Sequence, residues 1–347
     1  MTVSPTINIH GAGIIGLSCA LELKMRGANV RVLDPNPPEL GASWAAAGML
    51  SPGFEASDDD VSDGYFGLCL RSKAIWARFA HQIESLSGIR VGHVAGPSYA
   101  VGLNQEQAEQ LEKLLSRLNL FDAACSRLSV KSLREQEPAI NESVVSAIEI
   151  ADDGWVDNRK IMLGLRKVLA AELVQCVERL PADADVELYT AWSAISGQSE
   201  CLLPDALQAL VQQARLKPIA GRMHAYRSED LGVSRVIRCG HEYVVPRGDV
   251  SLFGATVGEV PDADAYLRSA AQTFLALRSH VELIDQWDGY RPRFGDKKLR
   301  VGPVSSNAFI AMGHYRNGIL LAPITAQIIA DQILVGSTPK YATGLLP

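Results

Sequence analysis

The feature that most constrains this chain lies at its beginning. Ile7-Asn8-Ile9-His10 reads as a short buried strand, and Gly11-Ala12-Gly13-Ile14-Ile15-Gly16 follows at once. A Leu-, Ala- and Glu-rich helical stretch runs from Leu17 to Arg26 and closes at Gly27; Ala28–Leu33 is a second strand, ending at Asp34. Strand, G-x-G-x-x-G, helix, strand and acid in this order make a complete βαβ unit for a dinucleotide. Gly11 permits the tight turn, Gly13 lets a pyrophosphate approach the backbone, and Gly16 lets the helix pack closely on the strand. The helix terminus at Ile14 and Ile15 offers unpaired N–H groups and a positive dipole end to phosphates. Asp34 is placed to accept hydrogen bonds from a ribose 2′-hydroxyl, and its charge would repel a 2′-phosphate. This pattern by itself does not separate FAD from NAD.

Composition narrows the rest. A chain of 347 residues with 47% hydrophobic and 21% charged residues buries a sizeable core and about two domains. A net charge of −6 without a Lys/Arg block disfavours nucleic acid and anionic membranes as partners. No run of about 18 apolar residues is evident, so a membrane span is not expected. Cys19, Cys69, Cys125, Cys176, Cys201 and Cys239 are dispersed with no C-x-x-C pair, which suits neither a zinc site nor a disulfide framework. No metal is expected. With no basic leader before the fingerprint, the reading is a soluble, cytoplasmic protein.

After Asp34 comes a rigid turn, Pro35-Asn36-Pro37-Pro38, and then an almost uncharged stretch, Gly41 to Leu50. Its small residues suit backbone lying against something flat, or alternatively close helix packing. Glu55 to Asp63 reads as an acidic solvated loop. Helical spacing marks residues 66–87, 105–118, 157–174, 204–216, 263–280 and 319–335; short β-type runs fill much of 224–255 and 283–290, and Phe309–Met312 is an apolar strand. The fold class expected is α/β: a Rossmann-like cofactor domain (1–80, 140–215 and 295–347) interleaved with a β-rich α+β substrate domain (81–139 and 216–294).

Several blocks carry a resemblance. The βαβ fingerprint, Ser43-Trp44-Ala45-Ala46-Ala47-Gly48-Met49-Leu50, Gly154-Trp155-Val156-Asp157-Asn158-Arg159 and Tyr243-Val244-Val245-Pro246-Arg247 are similar to the FAD-dependent glycine oxidase and D-amino-acid oxidase family. So are Gly254-Ala255-Thr256, Tyr290-Arg291-Pro292 and Gly313-His314-Tyr315-Arg316-Asn317-Gly318-Ile319-Leu320-Leu321-Ala322-Pro323. The last block resembles most the glycine oxidase branch that serves thiamin thiazole synthesis. The resemblance implies a D-amino-acid oxidase-like fold with an FAD domain and a smaller sheet domain over the isoalloxazine ring. It implies that Arg291 pairs with the substrate carboxylate, that Tyr243 assists, that His241 and Met49 approach substrate and flavin, and that Arg316 lies near the entrance. Cofactor contacts are expected from Gly11, Gly13, Ile14, Ile15, Gly16, Asp34, Pro35, Ser43, Ala46, Ala47, Gly48, Met49, His314, Tyr315, Arg316, Asn317, Gly318 and Ile319.

The chemistry suits these residue types. The planar fork of Arg291 gives a carboxylate two parallel hydrogen bonds, although a surface ion pair is the ordinary alternative for any Arg. Tyr243 also fits a strand core or edge, and His241 and His314 also fit structural roles; neither His is assigned as a base. Hydride transfer from an amine's α-carbon to flavin N5 needs positioning more than side-chain acid–base work. Backbone N–H groups at Asn317-Gly318-Ile319 would stabilise charge on a reduced flavin, and Gly318 would let backbone approach the ring. No Cys lies in the C-terminal block, so the FAD is expected to be non-covalent. The expected partners are a small amino acid or amine and O2, with a homo-oligomer left open.

Two segments depart from the family pattern. The stretch after Val174 is short, and the family's Ala-Gly-x-Trp turn reads Leu188-Tyr189-Thr190-Ala191-Trp192-Ser193, with larger side chains where glycine is usual. The loop 295–302 is also altered. Three readings stay open: an amino acid oxidase, a dehydrogenase passing electrons to a quinone or carrier, and a flavin-binding homologue without turnover.

Overall fold

The architecture rests on two sheets. Both are seen in the computed structural model, and the structure describes residues 4–34, 36–55, 61–174, 180–190, 205–255, 262–277 and 281–347. The first sheet has six strands in the order Arg300–Pro303, Ala308–Met312, Val186–Tyr189, Thr6–His10, Asn29–Leu33, Leu173–Val174. All pair in parallel except the first two, which are antiparallel. Thr6–His10 lies centrally, and Ile7, Asn8 and Ile9 are buried, as a strand covered on both faces requires.

Helices cover this sheet because their own surfaces are apolar nearly all round. Nine residues of Ile14–Met25 are buried, and the closing helix Gly318–Ala330 packs against it and against the long helix Asp63–Ser87. The stretch Tyr315–Val335 is long and apolar enough to cross a membrane, but its helix is wedged between these two neighbours and is mostly buried: it is a core helix. Pro323 sits inside it, and the Leu320 carbonyl in the same turn accepts from Ser72 Oγ (2.6 Å) and Trp76 Nε1 (2.8 Å). The long helix starts at Ser62, whose Oγ caps the Tyr65 N–H, and stops at Gly88 in the left-handed region.

The second sheet has eight strands, in the order Leu283–Arg293, Lys217–Arg227, Val250–Ala255, Glu242–Arg247, Val236–Cys239, Ser98–Gly102, Ser146–Ile150, Cys125–Arg127. Only the pair Val236–Cys239 and Ser98–Gly102 is parallel. Its alternation is clear: Tyr243 and Val245 face a cluster with Met223, Leu252 and Phe54, while Val244 faces the opposite cluster with Phe253, Leu267 and Phe274. A two-stranded pair, Met49–Leu50 with Gly154–Trp155, ties the small-residue stretch to the second half of the chain.

Several boundaries differ from the sequence reading. Ser146–Ile150 joins the eight-stranded sheet rather than the cofactor half, because its alternating pattern meets Ser98–Gly102 in antiparallel register. The helix expected over 157–174 ends at Val168, and Leu173–Val174 turns back as an edge strand. The helix expected to reach His280 ends at Phe274. Pro35 and residues 191–193 of the altered turn lie outside the described residues.

Candidate active site

One cavity of about 550 Å³ runs from the fingerprint loop to the face of the eight-stranded sheet. Its first end is built from backbone. Gly11 has φ +118°, and its N–H donates to Leu33 O (2.7 Å), which folds the loop onto the second strand. A Cβ on Gly16 would stand 1.9 Å from Gly11 O, so only glycine lets helix and loop approach this closely. The Asp34 carboxylate accepts from Ala12 N (2.9 Å) and Asn36 N (3.0 Å), which holds it at the cavity wall. Ser43 Oγ accepts from Ile14 N (3.0 Å), an orphan donor of the helix start.

The middle of the cavity is a corridor lined by the small residues Gly41–Ser43 and Ala45–Gly48, followed by Met49. Gly48 has φ +84°, and a Cβ there would lie 2.0 Å from Val156 O. Facing the corridor is the turn His314–Ile319. His314 is buried, with Nε2 3.1 Å from Thr325 Oγ1, and burial pushes its pKa down to about 3, so the ring is neutral. Asn317 donates to Tyr65 Oη (2.9 Å). Among the described residues, and leaving aside the helix's own backbone, only His314 Cβ lies within 4 Å of a Cβ placed on Gly318, so any demand for glycine there comes from what fills the cavity.

The far end is built from side chains of three distant segments. Arg291 lies on the edge strand Leu283–Arg293, in register with Ile219. Its guanidinium lies across Gly221, where a Cβ would stand 2.5 Å from Nη1, and Nη1 reaches Ala220 O at 3.4 Å. The Tyr243 hydroxyl sits over Gly254 and 3.3 Å from Met223 Sδ. Two glycines in adjoining strands thus make room for the two polar heads. Arg316 Nε donates to both oxygens of Glu55 (2.9 and 3.1 Å), a carboxylate only 6% exposed.

Of the residues expected at a site, Gly13, Ile14, Ile15, Asp34, Ser43, Ala46, Ala47, Gly48, Met49, Tyr243, Arg291, His314, Tyr315, Arg316, Asn317, Gly318 and Ile319 line this one cavity. Gly11 and Gly16 stand behind the wall and shape the loop. His241 is not brought there: it is exposed in the turn between Val236–Cys239 and Glu242–Arg247, outside the strand that turns Tyr243 inward. Glu55 is not part of a solvated loop. It is buried on the short turn Pro52–Glu55, because it neutralises Arg316. Thr190, one of the larger residues where glycine is usual, lines the cavity, and its hydroxyl donates to the carbonyls of His10 and Gly11 (3.2 Å each). No residue of the altered loop 295–302 lines the cavity. The sequence reading missed Met223, Arg238 and Tyr290 as wall residues. Tyr290 was adjacent to Arg291 in a quoted motif; Glu55 and Arg238 had no local signal.

The comparisons with known proteins follow this geometry. The chain matches the FAD dependent oxidoreductase family (DAO) over residues 7–332. It belongs to that family. A bifunctional protein ThiO/ThiG of Trichormus variabilis is 30% identical over 94% of this chain, which spans 52% of that protein; the chain is thus about half the length of the first cyanobacterial relatives it matches. The glycine oxidase of Bacillus subtilis is 26% identical over 94% of this chain and 92% of its own. In three dimensions the glycine oxidase of Geobacillus kaustophilus superimposes with a TM-score of 0.83 at 23% identity, covering 99% of this chain and 98% of that one. The fold is that of the glycine oxidases, α/β with two interleaved sheets.

The residues present suit the family's cofactor. A fingerprint loop and Asp34 stand at one end, and a stretch lined largely by glycine, alanine and serine leads from them to the sheet.

Proposed function

We propose that this protein oxidises glycine or a small N-substituted or D-amino acid, using non-covalent FAD and O2 and releasing an imine and H2O2. The observation that carries this reading is the pairing of Arg291 and Tyr243 at the cavity end opposite Asp34. The glycine oxidase relatives, similar over nearly the whole of both chains, support it.

Bound FAD supplies a two-electron acceptor for the hydride of the substrate α-carbon, and O2 accepts those electrons in turn. The protein's part is placement. The Arg291 guanidinium takes the carboxylate through two parallel hydrogen bonds, and the Tyr243 hydroxyl donates a third. With the carboxylate anchored, the amine and the α-carbon point down the corridor toward Met49 and Gly48. Arg316, neutralised by Glu55, closes that end without adding net charge. Asp34 would hold the ribose, and the N–H groups of Gly13 and Ile15 would be left for the pyrophosphate, that of Ile14 being taken by Ser43. The N–H groups of Gly318 and Ile319 at the start of the last helix would stabilise the negative charge that grows on a flavin as it is reduced, while the Asn317 N–H is already donated to His314 O.

The test is peroxide release from flavin-loaded protein with glycine, sarcosine and D-alanine. Turnover of at least one is expected. No peroxide and no bleaching of the flavin by any of them under anaerobic mixing would sink the reading; bleaching without peroxide would replace O2 by another acceptor.

A further inference from the structure

A buried cation joins the eight-stranded sheet to the start of the helix Asn158–Val168, outside the lining of the cavity. Arg247 ends the strand Glu242–Arg247, and its side chain is 7% exposed. Nη1 donates to Asn158 Oδ1 (2.7 Å), Nη2 donates to Asp157, and buried Nε has no partner among the described residues. Asp157 and Asn158 belong to the other half of the molecule, at the start of the helix Asn158–Val168, whose first N–H groups Asp157 caps.

Asn158 is itself fully buried, and every polar atom of its amide is committed. Its Oδ1 faces Arg247, which only donates. Its Nδ2 faces the carbonyls of Ser43 (2.7 Å) and Trp44 (2.9 Å), which only accept. The orientation of the amide therefore depends on Arg247, and the position of the corridor backbone depends on the amide. Ser43 passes the constraint on, since its Oγ takes the Ile14 N–H at the helix start. In the other direction, residues 243, 245 and 247 share one face of their strand, so the side chain that grips Asn158 and the hydroxyl of Tyr243 project from the same rigid element. Apolar side chains would fill this space at less desolvation cost than an arginine with an orphan N–H. What the arginine adds is a defined register.

We propose that Arg247 is a positioning residue: acting through Asn158, it holds the cofactor corridor at Ser43 and Trp44 in fixed register with the strand that carries Tyr243. The proposal rests on the FAD reading of the cavity. It is tested by FAD titration of flavin-stripped protein, thermal unfolding with and without FAD, and the visible spectrum of the loaded protein, for Arg247→Met, Asn158→Ala and the double variant. Each single variant is expected to weaken FAD binding by about tenfold or more and to shift the flavin absorption bands. The double variant is expected to bind FAD no worse than Asn158→Ala alone, because one residue acts through the other. Lower melting temperatures with unchanged FAD affinity and unchanged spectrum, or additive losses in the double variant, would overturn it. Should Arg247→Met fail to fold, Arg247→Lys keeps a charge beside Asp157 without the fork; it is expected to show the same weakened binding, and wild-type affinity would overturn the proposal. Wild-type protein that takes up no FAD would overturn the cofactor reading, and this proposal with it; normal uptake by all variants would overturn this proposal alone.

Discussion

The two ends of the cavity are made of different material. At the fingerprint end the functional groups are backbone N–H donors, and the side chains that matter are the ones that are missing: glycine at 11, 13 and 16, and the small residues Gly41–Ser43 and Ala45–Gly48. At the sheet end the functional groups are long charged or aromatic side chains, Arg291, Tyr243 and the Arg316–Glu55 pair, drawn from segments up to 261 positions apart. A backbone site is specific in shape and intolerant of added atoms. A side-chain site tolerates change but gives up binding energy in discrete steps as each hydrogen bond is removed.

The largest effect is expected where an atom is added to the backbone end. Gly16→Ala places a Cβ 1.9 Å from Gly11 O and 2.6 Å from Thr190 Oγ1. The strand-to-helix turn must open, at a cost on the order of 4 kcal/mol. If the helix start is what holds the pyrophosphate, fluorescence titration should show FAD binding weakened by roughly 10³-fold. Affinity within a few-fold of wild type would erase the distinction between the two ends.

Next comes loss of the charged head at the other end. Arg291→Ala removes two charge-assisted hydrogen bonds, so KM should rise by about 10²-fold or more, while the flavin spectrum and FAD affinity stay as in wild type. An unchanged KM would remove Arg291 from the carboxylate role. A lost spectrum would mean that the two ends are not separable.

The smallest effect sharpens the comparison through protons. His314, at the corridor, is held neutral by burial with its pKa pushed down to about 3 from 6.5. Asp153, fully buried under the turn that carries Glu55, is pushed up from 3.8 to about 7 by burial, against the donors Gly53 N and Ser98 Oγ and nearby Lys73. Below pH 6.5 the unfolded chain takes up a proton at His314 that the native state refuses, so this group makes stability rise with pH between about 3 and 6.5. Between pH 3.8 and 7 the native state keeps a proton on Asp153 that the unfolded chain has lost, so this group makes stability fall with rising pH. The two slopes oppose each other over the shared window. Denaturation of Asp153→Asn across that range should therefore show stability rising more steeply with pH than in wild type, by about 1.4 kcal/mol per pH unit. Parallel curves for the two proteins would show that Asp153 is ionised in both states.

How much was legible follows the same division. The fingerprint loop, the second strand and Asp34 are contiguous in the chain, and each residue type there is imposed by the conformation it must adopt or the atom it must let approach. The strand bearing Tyr243 and the turn before the last helix were likewise readable as local patterns. Glu55 was misread as solvated because nothing in its neighbourhood announces Arg316, far along the chain. His241 was misplaced because it lies in the turn just before the strand Glu242–Arg247, where the alternation of the strand no longer fixes which way a side chain points. The departure at Thr190 looked like an obstacle in the sequence; only the hydrogen bonds to His10 and Gly11 reveal where its hydroxyl goes.

What the sequence by itself determined is the nucleotide-binding βαβ unit, the α/β class with a β-rich second half, and membership of a flavin oxidoreductase family, since each is written in short-range spacing and in glycines whose backbone geometry admits no other residue. Tertiary structure alone decided which charges meet in the cavity, that Arg316 is neutralised by Glu55, and that Arg247 reaches across to Asn158. Those pairings depend on the register of strands and the packing of helices between distant segments, where Coulomb attraction and desolvation act through space and leave no periodic mark along the chain.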